Sequence, residues 1–248
     1  MAIYICSDIH GQYGLYRKML EDIGLTDSDV LYVLGDSIDR GPESVPLLQD
    51  ILSAKNVALL LGNHELMMYD YYVRYSISGA SWMLQGNGGR DTDKAFMRLP
   101  DAEREKILHA VEGLLLQAEV TVEGTTFLLS HSSFLHDRGT VYFRDAGEQE
   151  AFRVVWYSPW RMWEYEPPEA YAADGRVHVI GHVPVQRFMT DGEPVAYVDP
   201  KHRIVNIDLG CAMIGDRRSR TRGRLCCMCL DRFVAGDREH AFRYYTSD

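Results

Sequence analysis

The chain is short of positive charge, of cysteine and of long apolar runs, and each shortage excludes something. Lysine and arginine number 26 against 36 aspartates and glutamates, a net charge of −10. Phosphate neutralisation supplies most of the affinity of a nucleic-acid binder, so an extended polyanion partner is not expected. The one dense basic run, between Arg217 and Arg224, reads as a solvated loop. No apolar stretch approaches the roughly 18 residues that a membrane-spanning helix needs, which argues against an integral membrane protein. Met1 to Asp8 carries neither a basic segment nor an apolar core of signal-peptide length, so the expectation is an unprocessed, cytoplasmic chain. Cysteines number five, and three crowd together at Cys226, Cys227 and Cys229. No second ligand pair stands nearby at zinc-site spacing, so these read as reduced thiols on a buried strand.

What remains is an ordinary globular composition, 46% hydrophobic and 25% charged, which leaves no room for extensive disorder. The 248 residues fit a single domain over 1–248. The first third alternates apolar runs with helical spacing. Ile3 to Cys6, Val30 to Leu34 and Val57 to Leu61 read as strands. Between them, Leu15, Met19, Leu20 and Ile23 share one helical face, and so do Val45, Leu48, Ile51 and Leu52, with Pro42 expected in the first turn. This βαβαβ order predicts a parallel sheet covered by helices. Residues 64–118 read as mostly helical, broken at Gly86 to Gly89, and this helical segment is expected to contribute to the cleft wall. Val120 to Ser130 reads as a hairpin turning at Glu123-Gly124, and Ala146 to Val155 as a helix. Val177 to Ile180 reads as a strand, and Val195 to Val198 pairs with Ile204 to Ile207. The last strands, near 225–230 and 240–245, suggest a second sheet.

In parallel sheets ligands lie beyond the carboxyl ends of the strands. Here the first three strands each end in a polar cluster: Asp8-Ile9-His10, Gly35 to Gly41 with Asp36, Asp39 and Arg40, and Gly62-Asn63-His64-Glu65. His131 and His182 each follow a further apolar strand. Asp8 and His10, two apart on extended chain, face one side and can reach one ion. Asp36 can bridge two ions with its two oxygens. Asn63 offers a neutral oxygen, and the histidines offer nitrogen. Such an O and N donor set without thiolate suits Mn, Fe, Zn or Mg. Two such cations roughly 3.5–4 Å apart would clamp a phosphoryl group.

These residues resemble those of the calcineurin-like metallophosphoesterases, and more narrowly the bacterial and phage-type phosphoprotein phosphatases and their relatives, the symmetrical diadenosine tetraphosphatases. The group's pattern of D-x-H-G, G-D-x-x-D-R-G, G-N-H-E/D, a His and G-H-x-P stands complete as Asp8 to Gly11, Gly35 to Gly41, Gly62 to Glu65, His131 and Gly181 to Pro184. The resemblance implies an α/β fold, a four-layer αββα sandwich of two mixed sheets with flanking helices. It implies two divalent ions, manganese first among the choices. One would be held by Asp8, His10 and Asp36, the other by Asp36, Asn63, His131 and His182. It implies His64 as general acid, Asp39 as the carboxylate that holds it and favours the imidazolium, and Arg40 as a phosphate clamp. Arg161, which follows a Trp-Ser segment at shifted spacing, is expected to contact substrate, and Asn87 in the Gly-rich run to line the cleft. Asp208 is expected to be structural.

The expected activity is hydrolysis of phosphate monoesters by direct attack of a metal-activated hydroxide, with a phosphorylated protein or small phosphoester as partner. The phosphoprotein phosphatases carry an arginine immediately before G-N-H-E, and here that residue is Leu61. The diadenosine tetraphosphatases share this lack, so hydrolysis of dinucleoside polyphosphates is the alternative. A non-catalytic scaffold should have lost His64, Asp39 or a ligand, and none is lost.

Overall fold

The computed structural model describes residues 1–160, 164–189, 193–214 and 222–247. Among them thirteen strands run in chain order as β1 (Ile3–Cys6), β2 (Val30–Val33), β3 (Val57–Leu59), β4 (Leu115–Val122), β5 (Thr125–Ser130), β6 (Val141–Tyr142), β7 (Tyr157–Ser158), β8 (Glu164–Tyr165), β9 (Val177–Ile180), β10 (Tyr197–Asp199), β11 (Ile204–Asn206), β12 (Leu225–Cys229) and β13 (Phe242–Tyr245). One sheet has the order β13-β12-β1-β2-β3 and a second the order β10-β11-β9-β5-β4-β6, while β7 and β8 pair separately. Both large sheets are mixed. β1, β2 and β3 run parallel, with β12 antiparallel to β1. β5, β9 and β11 run parallel inside the second sheet, between antiparallel neighbours.

The two-residue side-chain period of a strand sorts these residues into layers. Ile5, Cys226 and Met228 of the first sheet pack with Phe127, Leu129, Val179 and Val205 of the second to form the core between the sheets. Their chain neighbours Cys6, Leu225 and Cys227 face outward, onto Tyr16 and Met19 of α1 (Tyr13–Ile23) and Leu48 and Ile51 of α2 (Ser44–Ser53). On the far side Leu128, Ile180 and Ile204 pack under Phe134 and a wholly buried Tyr171, which lies in a helix over Pro168–Asp174. Helix, sheet, sheet and helix therefore stack as four layers, as the resemblance implies. The hairpin turns at Glu123-Gly124, both at positive φ.

Three expectations need correction. β12 and β13 do not found a second sheet but complete the first, beside β1. Residues 115–118 belong to β4 rather than to the helical region. Pro42 precedes α2, which opens at Ser44 behind Glu43. The three thiols behave as expected: Cys226 and Cys227 are buried, Cys229 is half-buried, and all are free.

Candidate metal centre and substrate cleft

Five loops leave the carboxyl ends of β1, β2, β3, β5 and β9 on one side of the molecule. Asp8 and His10 follow β1, Asp36 and Asp39 follow β2, Asn63 and His64 open the helix Asn63–Tyr69 after β3, His131 follows β5, and His182 follows β9. The crowding shows in the backbone. Asp8, His10, Asp36, Asp39, Arg40 and His182 all hold φ between 48° and 70°. Residues with a Cβ rarely adopt this conformation, and where they do they cluster at functional sites. Close approach shows too. A Cβ at Gly181 would lie 2.1 Å from both Asp8 Oδ2 and Ser7 Oγ, and one at Gly62 would lie 2.3 Å from Asp36 Oδ1.

Glu65 ties two of the loops together. Its buried carboxylate accepts from the Asp36 and Ser37 N–H groups at 2.8 Å, from the Ser37 hydroxyl at 2.8 Å and from the Gly62 N–H at 3.1 Å. Asp36 Oδ1 in turn accepts from the His64 N–H at 3.0 Å.

The donor atoms meet around Asp36. His10 Nδ1–H donates to the Ile38 carbonyl at 2.9 Å and His131 Nδ1–H to the Leu34 carbonyl at 2.7 Å. In a neutral imidazole that leaves each Nε2 as a lone pair. His10 Nε2 then lies 3.5 Å from Asp36 Oδ2, and His131 Nε2 lies 3.5 Å from Asp36 Oδ1 and 2.9 Å from Asn63 Oδ1. His182 Nδ1 lies 2.9 Å from the same Asn63 oxygen. Two groups of potential ligands, His10-Asp36-His64 and Asp36-His131-His182, thus share one carboxylate. Asp8 joins the cluster from β1, its Oδ2 accepting from the Ser7 hydroxyl and from the His182 N–H at 3.0 Å.

Burial raises the carboxyls of Asp8, Asp36 and Asp208; the charge of Asp8 raises the latter two further, and Glu65 adds to the effect on Asp36. Burial pushes the His10 and His182 imidazoles well below their ordinary value. Lone pairs and buried carboxylates that converge without enough protons to share are what a cation relieves, so these residues fit divalent metal.

His64 is wholly buried. Its Nδ1 pairs with Asp39 Oδ2 at 2.6 Å, and that same oxygen accepts the Trp82 indole N–H at 2.6 Å. His64 Nε2 has no hydrogen-bond partner among the described residues and lies 3.8 Å from Asp36 Oδ2. The expectation that Asp39 favours the imidazolium meets an opposing force. Burial, with Arg40 and His131 nearby, holds His64 well below its ordinary value, and burial pushes Asp39 up to about 7. Both shifts favour the uncharged forms of the pair, so protonation at His64 Nε2 has to be induced.

The cluster floors a cleft of about 620 Å³ whose walls include Arg40, Gln85, Trp156, Arg187 and Ile214. Arg40 is exposed and places NH1 3.1 Å from His10 Nε2. Asn87 is turned away from the expected place. Its amide donates to the Ser81 carbonyl at 2.8 Å, and its neighbours Gly86 and Gly88 line the cleft instead. Arg161 lies outside the described residues. Asp208 accepts from the Gly210 N–H at 2.8 Å, in a structural position. Arg187 carried no motif signal, and Trp82 and Trp156 stood in segments singled out for Asn87 and Arg161 rather than for themselves. The role of Glu65 was equally hidden, although the residue itself sits in the G-N-H-E string.

Residues 1–205 match the family model for calcineurin-like phosphoesterases. The symmetrical bis(5'-nucleosyl)-tetraphosphatase of Acidovorax sp. (strain JS42) is 31% identical over 137 residues, 54% of this chain and 45% of that one. The chain thus spans less than half the length of this curated relative. A protein serine/threonine phosphatase from Saccharomyces cerevisiae superposes at a TM-score of 0.63 and 14% identity, over 100% of this chain and 80% of the other. A metallophosphoesterase from Sphaerobacter thermophilus does so at 0.53 and 17%, over 100% and 88%. At those identities the likeness is one of fold. With the family model matched over most of its length, the chain belongs to the calcineurin-like phosphoesterase family.

Proposed function

We propose that the chain hydrolyses dinucleoside polyphosphates, with diadenosine tetraphosphate as the representative substrate, using two divalent cations that share Asp36. The observation that carries the reading is the convergence of His10, Asp36, Asn63, His131 and His182 on the floor of a cleft of about 620 Å³. That volume suits a nucleotide-sized ligand, for which pockets run roughly 300–1,000 Å³. Leu61, in place of an arginine before G-N-H-E, favours this substrate class over phosphoprotein. So do the names of the relatives, symmetrical bis(5'-nucleosyl)-tetraphosphatases from several bacteria. The phosphoprotein phosphatase reading therefore ranks second.

In this reading Asp8, His10 and Asp36 would hold one ion, and Asp36, Asn63, His131 and His182 the other, with manganese the first metal to try. When bound, the cations supply Lewis-acid stabilisation of the phosphoryl oxygens and acidify the attacking water. Arg40 swings from His10 to pair phosphate oxygens through its planar fork. The negative charge of an arriving phosphate favours the imidazolium of His64, whose Nε2 proton passes to the leaving oxygen while Asp39 holds Nδ1. Pro184, where the wider superfamily often has a second histidine, leaves the first ion poorer in protein ligands.

A substrate panel tests this directly: diadenosine tetraphosphate, nitrophenyl phosphate and a phosphopeptide, each with manganese and after chelation. The expected result is the highest kcat/KM on diadenosine tetraphosphate, lost with chelator and restored by manganese. A higher kcat/KM on the phosphopeptide would reverse the ranking, and turnover that survives chelation would remove the metal from the mechanism.

A further inference from the structure

We propose that Arg187 binds the phosphate next to the one held at the metal centre, so that the cleft recognises a diphosphate rather than a lone phosphate. The inference deepens the dinucleoside polyphosphate reading and rests on it. Arg187 lies five residues beyond His182, on a short 3-10 turn over Val185–Arg187. That turn is held on several sides. The Val185 N–H donates to the Asp208 carbonyl at 3.0 Å, and the Arg187 N–H donates to the Pro184 carbonyl at 2.8 Å. Gln186 Nε2 donates to the Leu209 carbonyl at 2.7 Å. Phe188 stacks on Trp160 with ring centroids 4.2 Å apart and planes 9° from parallel. The base of the side chain is therefore fixed relative to the metal loops, while its guanidinium end is exposed on the cleft wall.

Position in the cleft and charge pairing together mark this residue. Among the described residues several arginines pair with carboxylates away from the cleft, as Arg74, Arg138, Arg153, Arg176 and Arg243 do. Arg187 has no carboxylate partner among the described residues, and neither does Arg40, the other arginine of the cleft. Asp91, on the same wall, is engaged by Lys94 at 2.9 Å. Two guanidinium groups on one cleft, neither tied to a carboxylate in a salt bridge, suit an anion with two charged centres. Arg187 would thus supply a grip on phosphate that Leu61 does not.

The test is equilibrium binding to the manganese-loaded protein, measured by calorimetry, with adenosine monophosphate and its non-hydrolysable diphosphate counterpart, α,β-methylene ADP. The two probes differ by one phosphate. The parent should prefer the diphosphate by roughly 10–100-fold, the range of a charge-assisted, two-point hydrogen bond. Arg187→Ala should bring that preference to about threefold or less, and Arg187→Lys, which keeps the charge and loses the fork, should fall between. Equal affinity for both probes in the parent, or a preference that survives in Arg187→Ala, overturns the proposal. No turnover is needed, so the outcome separates from the substrate panel. A preference lost in Arg187→Ala stands even where diadenosine tetraphosphate is not cleaved.

Discussion

His64 combines complete burial, one filled ring nitrogen and one that faces only the metal cluster, and this division of labour is open to test. General acid help from one residue is worth about 10²–10⁴-fold. His64→Asn should lower kcat on an alkyl phosphate or diadenosine tetraphosphate by about that factor. It should lower it much less on nitrophenyl phosphate, whose departing phenolate needs little protonation. Equal losses on both would point to a structural role. Asp36 carries a separate prediction with no turnover involved. A ligand that binds only the folded state stabilises it by about 2.7 kcal/mol at a hundredfold excess over Kd. Manganese should therefore raise the Tm of the parent, and Asp36→Asn should abolish that rise. Sequence legibility was uneven at this scale. Residues in strings such as G-D-x-x-D-R-G could be placed by pattern, since short loops fix their neighbours. Trp82, which reaches Asp39 across 43 positions, could not, because nothing local marks a long-range hydrogen bond. Asn87 failed for the opposite reason: a polar residue in a glycine run looks free to face a ligand, but its amide is used by the Ser81 carbonyl.

Elements were legible where their period is local and opaque where partners are remote. The helical spacing of α1 and the turn at Glu123-Gly124 follow from short-range chemistry. The placement of β12 beside β1 depends on a pairing across more than 200 residues, Ile5 with Met228, which alternation in either strand alone does not reveal. One element junction carries a pH prediction. Asp174 closes the helix Pro168–Asp174 and accepts from Arg176 at 2.6 Å and His178 at 3.1 Å. Burial alone would raise its carboxyl, but the hydrogen bonds from Arg176 and His178 outweigh this and hold it well below the usual carboxylate range. A depressed carboxyl contributes stability that is present above its unfolded pKa and lost as pH falls through its folded one. His178, buried beside it, is held below its ordinary value by burial, which the hydrogen bond and charge of Asp174 oppose. Asp174→Asn should therefore cost about 1.5–3 kcal/mol near pH 7. That cost should begin to shrink only below about pH 4, where the unfolded carboxyl takes up a proton, and should be partly retained at about pH 3, because the folded carboxyl titrates lower still. Urea unfolding of both proteins at the two pH values measures it, and a cost that does not change with pH would contradict the assignment.

The whole molecule depends on residues that the family match does not reach. The match ends at 205, yet β12 and β13, at 225–245, occupy one side of the first sheet, and β1, which carries Asp8 and His10 at its end, lies between β12 and β2. Removing β12 would leave β1 as a bare edge and open the core between the sheets. Met228 tests this with a smaller change. It is wholly buried, pairs with Ile5, and packs in the core that Phe127, Leu129 and Val205 share. Truncating a buried methionine to alanine costs about 2–5 kcal/mol through lost contacts and a residual cavity. For a chain of this size each kcal/mol moves Tm by about 2–4 °C. Met228→Ala should thus melt at least 4 °C below the parent, on the order of 4–20 °C. Leu84→Ala, at an exposed side chain, should stay within about 0.5 kcal/mol of it. Met228 lies in the inter-sheet core rather than in any metal loop, so manganese should raise the Tm of Met228→Ala by as much as it raises the parent's. A normal Tm would mean that β12 is dispensable to the core, whereas a lost manganese response would mean that the C-terminal strands shape the metal site directly rather than only supporting the sheet beneath it.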